Sequence, residues 1–329
     1  MTARAAAWVL ASALALMAAS GRLVDSPPPE RQHPDYVYAP PMPLRVRDDG
    51  GWRAPFVYPV RLVDRLERRY VVDRATPVDV RWFAKGTLLS LASGDGAPWF
   101  VLGTDTLGRD VFARLLRGAR FSLGVAALAA ATALLIGTAA GAAAGFVRGP
   151  LDAILMRTAD FILALPAIYV VLTLRAALPL VLTSGQVFWV MVLVFAGAGW
   201  PLVARGVRGV VLTEAAREYA ESARAIGASR TRILLRHLLP ATRGLLLTHA
   251  TLLVPAFILA EATLSFAGLG FGEPVPSWGL MLQDASRGRA LVEAPWLLTP
   301  ALAIATVVLL LNVAGRTRRT PDRPWLSRS

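Results

Sequence analysis

Glu261, His249, Asp105 and Asp110 are the side chains best placed for chemistry in this 329-residue sequence. Glu261 is the one acid set well inside an apolar run, FILAEATLSF. An ionised carboxylate facing lipid is costly, so it should face a pathway, a partner subunit or the membrane boundary where its helix ends. His249 could serve it as an acid–base partner only if the two met. They stand twelve residues apart on one predicted helix, about 18 Å of rise, and cannot. His249 then reads as a helix-packing hydrogen-bond donor. Asp105 and Asp110, in GTDTLGRDVF, have carboxylates that could act as nucleophiles, but their spacing fits turn and helix-start caps. The chain has no cysteine, which excludes disulfides, thiolate metal sites and cysteine nucleophiles. His33, His237 and His249 are too far apart in sequence to suggest a metal site. With no paired carboxylates, no Ser-His-Asp set and no G-x-x-x-x-G-K-[ST] phosphate loop, a non-catalytic protein is expected, without a cofactor of its own.

The elements that carry these residues are membrane spans. Residues of the AVILMFWYC types make up 55% of the chain and charged residues 17%, against about a quarter in an average soluble domain. Mean hydropathy is +0.51. The apolar residues fall in blocks long enough to cross about 30 Å of hydrocarbon, which takes roughly 20 helical residues. Residues 5–20 form a first helix, or a signal peptide with a small-residue cleavage site at Ala18-Ala19-Ser20. Residues 21–102 are mixed in charge, with 12 basic and 10 acidic residues between 22 and 95, and they suggest a folded insert of short strands and turns. Residues 109–120 fit a short interfacial helix, with Phe112, Leu115, Leu116 and Ala119 on one face and Arg109, Asp110, Arg114 and Arg117 mostly elsewhere. Further spans are expected at 121–147, 158–174, 186–204, 244–267 and 295–315, with Asp152, Arg157 and Asp160 in a polar connection before the third. Gly137, Gly141 and Gly145 make a stripe that lets another helix backbone approach.

The net charge is +13, and its placement orients the chain. Residues 205–243 hold eight arginines against Glu214, Glu218 and Glu221, a net of +5. Residues 316–329 hold five arginines against Asp322, a net of +4. Arginine clusters between spans follow the positive bias of cytoplasmic loops and give no reason to expect nucleic acid. Six spans with both termini cytoplasmic satisfy this pattern and put the 21–102 insert outside.

Within the 205–243 loop, Thr213 can cap a helix that continues with Glu214 in its first turn. Ala216, Ala220 and Ala223 recur at i, i+4 and i+7, with Tyr219 and Ile226 as an apolar ridge beside them. Gly227 suits the left-handed position that closes a helix, and Ser229 can cap a second one running to Pro240. A hairpin with its small residues turned outward would fit a groove in another protein; a solvated connector is the plainer alternative.

Glu221-Ser222-Ala223, Gly227 and Leu239-Pro240 resemble the EAA loop of binding-protein-dependent ABC importer permeases, departing at Ser222 and at His237. Arg236-His237 before Leu239-Pro240 is similar to the peptide branch of that family. So are GTDTLGRDVFARLLRGARFSL at 103–123 and EATLSFAGLGFGEPVPSWGLML at 261–282, which resemble segments of dipeptide, oligopeptide and nickel permeases. The resemblance covers roughly residues 100–312; the 21–102 insert is longer than the branch leads one to expect, and the tail beyond Asn312 departs from it.

The resemblance implies an all-α polytopic protein of six transmembrane helices with the type I ABC importer permease fold. Its domains would be a first helix at 1–20, an extracytoplasmic insert at 21–102, a permease domain at 103–315 and a basic tail at 316–329. It implies a bacterial inner-membrane subunit that forms half of a pathway for peptides or similar small solutes. Its partners would be a second related permease, two cytoplasmic ATP-binding subunits that bind the ATP, and an external substrate-binding protein. Glu218, Ala220, Glu221, Ala223, Gly227, Leu239 and Pro240 would couple it to the ATPases. A secondary transporter is the rival, but the internal repeat and coupling-ion residues such a carrier needs are not evident.

Overall fold

A computed structural model describes residues 28–48, 51–65, 67–83, 89–91, 98–166, 173, 182–287 and 293–316. The expected first helix at 1–20, most of the second half of the third expected span (167–172 and 174) and the tail from 317 lie outside these residues. The chain forms two compact units, one built on Gly124–Ala260 and the part from Val307 onward, the other on Ala11–Leu123 and Glu261–Thr306.

In the second unit six short strands precede the first long helix: β1 (Arg45–Asp48), β2 (Gly51–Val57), β3 (Val60–Asp64), β4 (Arg69–Val72), β5 (Val78–Trp82) and β6 (Leu89–Leu91). They pair antiparallel as a four-stranded sheet, β1-β2-β5-β6, and a hairpin, β3-β4. Alternation along the strands turns Val57, Val60 and Val80 inward to join Ala39, Met42, Trp99 and Phe100 in one core, and Phe112 of the following helix packs against it. The indole of Trp99 donates to the Met42 carbonyl at 3.0 Å, so its one polar atom is satisfied inside that core.

That following helix, α1 (Val111–Val147), corrects the sequence reading. A separate interfacial helix at 109–120 is not present; one 37-residue helix runs through both stretches. No proline interrupts it, and Gly118 costs only about 1 kcal/mol in a helix interior. Two of the arginines that suggested a solvent-facing element are instead buried, Arg109 at 4% and Arg114 at 1% exposure, while Arg117 stays half-exposed and pairs with Glu30. At 1.5 Å per residue α1 is about 55 Å long, well beyond the hydrocarbon thickness.

In the first unit, Arg148 and Gly149 both adopt positive φ (61° and 67°) and reverse the chain into α2 (Gly149–Ala164). The polar connection expected around Asp152, Arg157 and Asp160 is therefore helical. Asp152 receives both Nε and Nη2 of Arg208, at 2.5 and 2.6 Å, and Asp160 pairs with Arg205, so the acids can lie on a packed helix. Both arginines belong to α3 (Ser184–Ala215), which opens with a capping box between Thr183 and Gln186. α3 extends eleven residues past the expected end of the fourth span, so the loop begins at 216 and not at 205. The glycine stripe of α1 meets α3 backbone to backbone: a methyl group on Gly137, Gly141 or Gly145 would overlap Val203, the Ala204 carbonyl or the Arg208 carbonyl.

Beyond the loop lie α6 (Arg243–Phe266), α7 (Trp278–Ala285) and α8 (Thr299–Arg316), numbered to leave α4 and α5 for the loop itself, Glu218–Ala225 and Arg230–Ile233. Among the described residues four helices are long and apolar enough to cross a membrane: Val111–Val147, Ser184–Ala215, Arg243–Phe266 and Pro295–Val313.

Candidate functional site

The loop between α3 and α6 is two short helices and a widened turn. Thr213 does not cap it; its hydroxyl donates to the Gly209 carbonyl within α3, and α4 starts after Arg217 with no side-chain cap. Glu214 instead anchors the hairpin, accepting from the Tyr219 hydroxyl at 2.8 Å and pairing with Arg217 at 3.2 Å. Arg224 closes the hairpin from the other end by donating to the Ala215 carbonyl at 3.0 Å.

Gly227 ends α4 as its position suggested. Its φ is +81°, Gly227 N–H donates to Arg224 O and Ala228 N–H to Ala223 O, both at 3.0 Å, which is a Schellman closure. Ser229 then caps α5, accepting from Arg232 N–H. After α5 the chain widens into one π turn over Leu234–Leu238, where Leu239 N–H reaches back five residues to Leu234 O. Pro240 explains the widening: it has no N–H to give, and its ring would crowd the carbonyl four residues back.

Of the three alanines in the stripe Ala216 is exposed, whereas Ala220 and Ala223 point the other way from the sequence reading. Ala220 is fully buried and Ala223 nearly so, against their own chain, together with Ile233 and Leu238. Glu218, Tyr219, Glu221, Ser222, Ala225 and Gly227 are exposed, and Ile226 is 85% exposed. Leu239 and Pro240 are half-buried at the far end. Tyr219 and His237 approach ring to ring, 6.3 Å between centroids. Small residues thus seat the hairpin on the spans, and an acidic and apolar rim is what it offers outward.

The second unit holds a cluster that sequence reasoning missed. Arg109 pairs with Asp105 and Glu273, both at 2.7 Å, and with Asp284 at 3.4 Å. Arg114 pairs with Glu273 at 3.0 Å, Asp105 at 3.5 Å and Asp284 at 3.6 Å. Burial pushes the Glu273 carboxyl up, but the hydrogen bonds and charges of Arg114 and Arg109 outweigh it and hold it below its ordinary value. For Asp284 burial wins, and its carboxyl is raised despite both arginines. The signal was present in sequence: the segments 103–123 and 261–282 both carry charges next to glycines, Arg109 after Gly108 and Glu273 after Gly272. Nothing local says that the charges of one meet those of the other.

Asp105 and Asp110 do act as caps. Asp105 Oδ1 accepts from the N–H groups of Leu107 and Arg109, and Asp110 Oδ1 from that of Phe112, all at 2.9 Å. Burial raises the Asp110 carboxyl to about 7, and Asp105 nearby adds to the shift. The folded state then binds a proton that the unfolded chain releases near pH 4, so Asp110 makes stability fall as pH rises from about 4 to 7. Asp110→Asn keeps the cap and removes the titration. Thermal unfolding of the purified variant between pH 5 and 8 should show a flatter profile than wild type, with the gain at the alkaline end.

Glu261 sits five residues before the end of α6 and is fully buried within its own chain. His249 bonds to the Leu245 carbonyl of its own helix at 3.0 Å, and its ring lies against Gly206 of α3.

A family model described as "Binding-protein-dependent transport system inner membrane component" matches residues 133–317. The oligopeptide transport system permease protein OppC of Bacillus subtilis (strain 168) is 39% identical over 229 residues, 69% of this chain and 72% of that one. The dipeptide transport system permease protein DppC of the same organism is 39% identical over 219 residues, 66% of this chain and 65% of that one. The glutathione transport system permease protein GsiD of Pectobacterium atrosepticum is 36% identical over 225 residues, 68% and 72% of the two chains. Among solved structures, a chain of the MetNI methionine ABC transporter in an inward-facing form aligns with a TM-score of 0.50 at 19% identity. It covers 62% of this chain and 93% of that one, a likeness of fold alone. With its four apolar helices, the family match and these relatives, the chain belongs to the inner-membrane permease components of binding-protein-dependent ABC transport systems.

Proposed function

We propose that this permease forms one half of an ATP-driven import pathway for peptides or similarly sized solutes, and that α4 is the surface through which ATP-binding subunits drive it. The observation that carries the reading is the split of α4 into a buried alanine face and an outward rim of Glu218, Tyr219, Glu221, Ser222 and Ile226. A hairpin seated that firmly moves with its spans, so a push on its rim tilts them between discrete arrangements. The partners are a second related permease, two cytoplasmic subunits that hold the ATP and an external binding protein that selects the solute. Relatives named for oligopeptide, dipeptide and glutathione transport support the solute class. The net charge of +4 over residues 216–243 supports a cytoplasmic loop, with both termini on the same side and the β-rich insert outside.

Affinity capture of the tagged chain from native membranes should bring down two ATP-binding subunits and a second permease in near-equal amounts. A chain recovered alone, in a preparation that still transports, would overturn the proposal in favour of a standalone carrier.

A further inference from the structure

The insert that precedes α1 is accounted for neither by the family match nor by the coupling surface, and one end of its larger sheet is aromatic and basic. β2 and β5 run antiparallel and pair through Phe56 with Asp79 and Val57 with Val78, so the start of β2 and the end of β5 share one end of the sheet. The β1-β2 turn, with Arg47 opposite Trp52, and the β5-β6 turn after Trp82 lie at that end too. It therefore collects Trp52, Trp82 and Phe83, which are 81%, 53% and 79% exposed. The opposite end, around Val57, belongs to the core against which Phe112 of α1 packs.

Three large aromatic side chains gathered in water mark a surface that meets something else. Phe83 holds a positive φ of 54°, where a bulky side chain is rarely placed. The indoles of Trp99, Trp278 and Trp296 donate to the carbonyls of Met42, Leu115 and Thr104, each at 3.0 Å. Those of Trp52 and Trp82 find no acceptor among the described residues. Asp48 and Asp79 hold Arg53, at 3.9 and 2.8 Å, whereas Arg47 and Arg81 pair with no acid among the described residues. Open indole N–H groups beside unpaired guanidinium groups match the membrane–water interface, where tryptophan sits at headgroup level and arginine meets lipid phosphate.

The reach also fits. α1 becomes free of charge at Phe121, nine residues and about 14 Å beyond Phe112. Trp52 lies five residues and about 17 Å along β2 from Val57. A sheet anchored at Phe112 is long enough to touch the headgroup layer. We propose that this free end of the insert docks on anionic phospholipid headgroups beside α1, with Trp52, Trp82 and Phe83 seated among them and Arg47 and Arg81 on the phosphates. The docking needs only that the chain spans the membrane; it depends neither on ATPase coupling nor on which side the insert occupies.

The chain has no cysteine, so Ala54→Cys gives one labelling site, on the exposed part of β2. A nitroxide there, on the full-length protein in lipid nanodiscs, reports collisions with oxygen, which concentrates in lipid, against collisions with a neutral, water-soluble nickel chelate. In discs containing phosphatidylglycerol the oxygen-to-chelate ratio should exceed that of a Trp52→Ser, Trp82→Ser, Phe83→Ser triple variant by about threefold. Arg47→Gln with Arg81→Gln should lower the ratio in phosphatidylglycerol and leave it unchanged in pure phosphatidylcholine. An equal ratio in the triple variant and the unaltered tip would overturn the proposal. So would a label open to the chelate in both lipids, which would make this end a site for a protein partner. Should the triple variant fail to accumulate, the two lipids compared on the unaltered tip decide: equal ratios overturn the proposal.

Discussion

Arg114→Leu is expected to cost about 2–4 kcal/mol, somewhat less than the roughly 3–5 kcal/mol lost when a buried charge is left uncompensated, because Arg109 still pairs with the same carboxylates. Arg114 is 1% exposed and bridges Glu273, Asp105 and Asp284. Without it three carboxylates share Arg109 alone, and Glu273 and Asp284 lose their ion pairs with the first turn of α1. Arg114→Lys should recover less than half of the loss, because an ammonium is one point charge where the guanidinium donates along several directions. Thermal unfolding of the detergent-purified protein measures this. At roughly 2–4 °C per kcal/mol for a body of this size, a drop near 10 °C is expected, and one under about 2 °C would show that the cluster contributes nothing net. The Glu273 part of the effect has a definite sign with pH. Its carboxyl lies below its ordinary value, so its share of the stability is complete above about pH 4.5 and is lost as pH falls through the lowered value.

Gly227→Pro and Glu221→Arg should leave the protein inserted and folded but lower ATP-driven uptake by about 100-fold, the scale of one or two interface hot spots. Proline fixes φ near −65° where the chain needs +81°, and it removes the N–H that donates to Arg224, so the end of α4 unwinds. Glu221→Arg leaves the fold alone and reverses one charge on the exposed rim. ATP hydrolysis and solute uptake measured together in reconstituted vesicles separate coupling from assembly. Hydrolysis should persist in part while uptake is lost, and wild-type uptake in both variants would remove α4 from the pathway of force.

What the sequence made legible divides along a physical line. The fourth, fifth and sixth spans were readable to within a few residues at their entry ends because hydrophobic length and helix-start chemistry are local properties. Gly227 and Ser229 were readable for the same reason, since a turn residue announces the backbone it needs. The glycine stripe on α1 also told its own story, as only a close neighbour gives it a purpose. Most of the failures concern charges whose partners are remote in sequence. Arg114 and Glu273 are 159 residues apart, and Arg208 and Asp152 are 56. Periodicity therefore placed these side chains in solvent and cut α1, α2 and α3 short where the charges began. The alanine face of α4 was misdirected by a related ambiguity: small residues let something approach closely, but do not say whether it is a partner or the chain itself.

The π turn over Leu234–Leu238 has a geometric meaning for everything after it. It spends one more residue than an α turn would, and one residue is about 100° of azimuth. With that offset Leu253, Val254, Phe257 and Ile258 lie buried and Leu247, Leu252 and Leu259 exposed. The number of residues at this spot, more than their identity, sets the compass bearing of the whole of α6. Side-chain replacement there is a mild perturbation; the gain or loss of a single residue would swing the greasy and packed sides of the helix out of place.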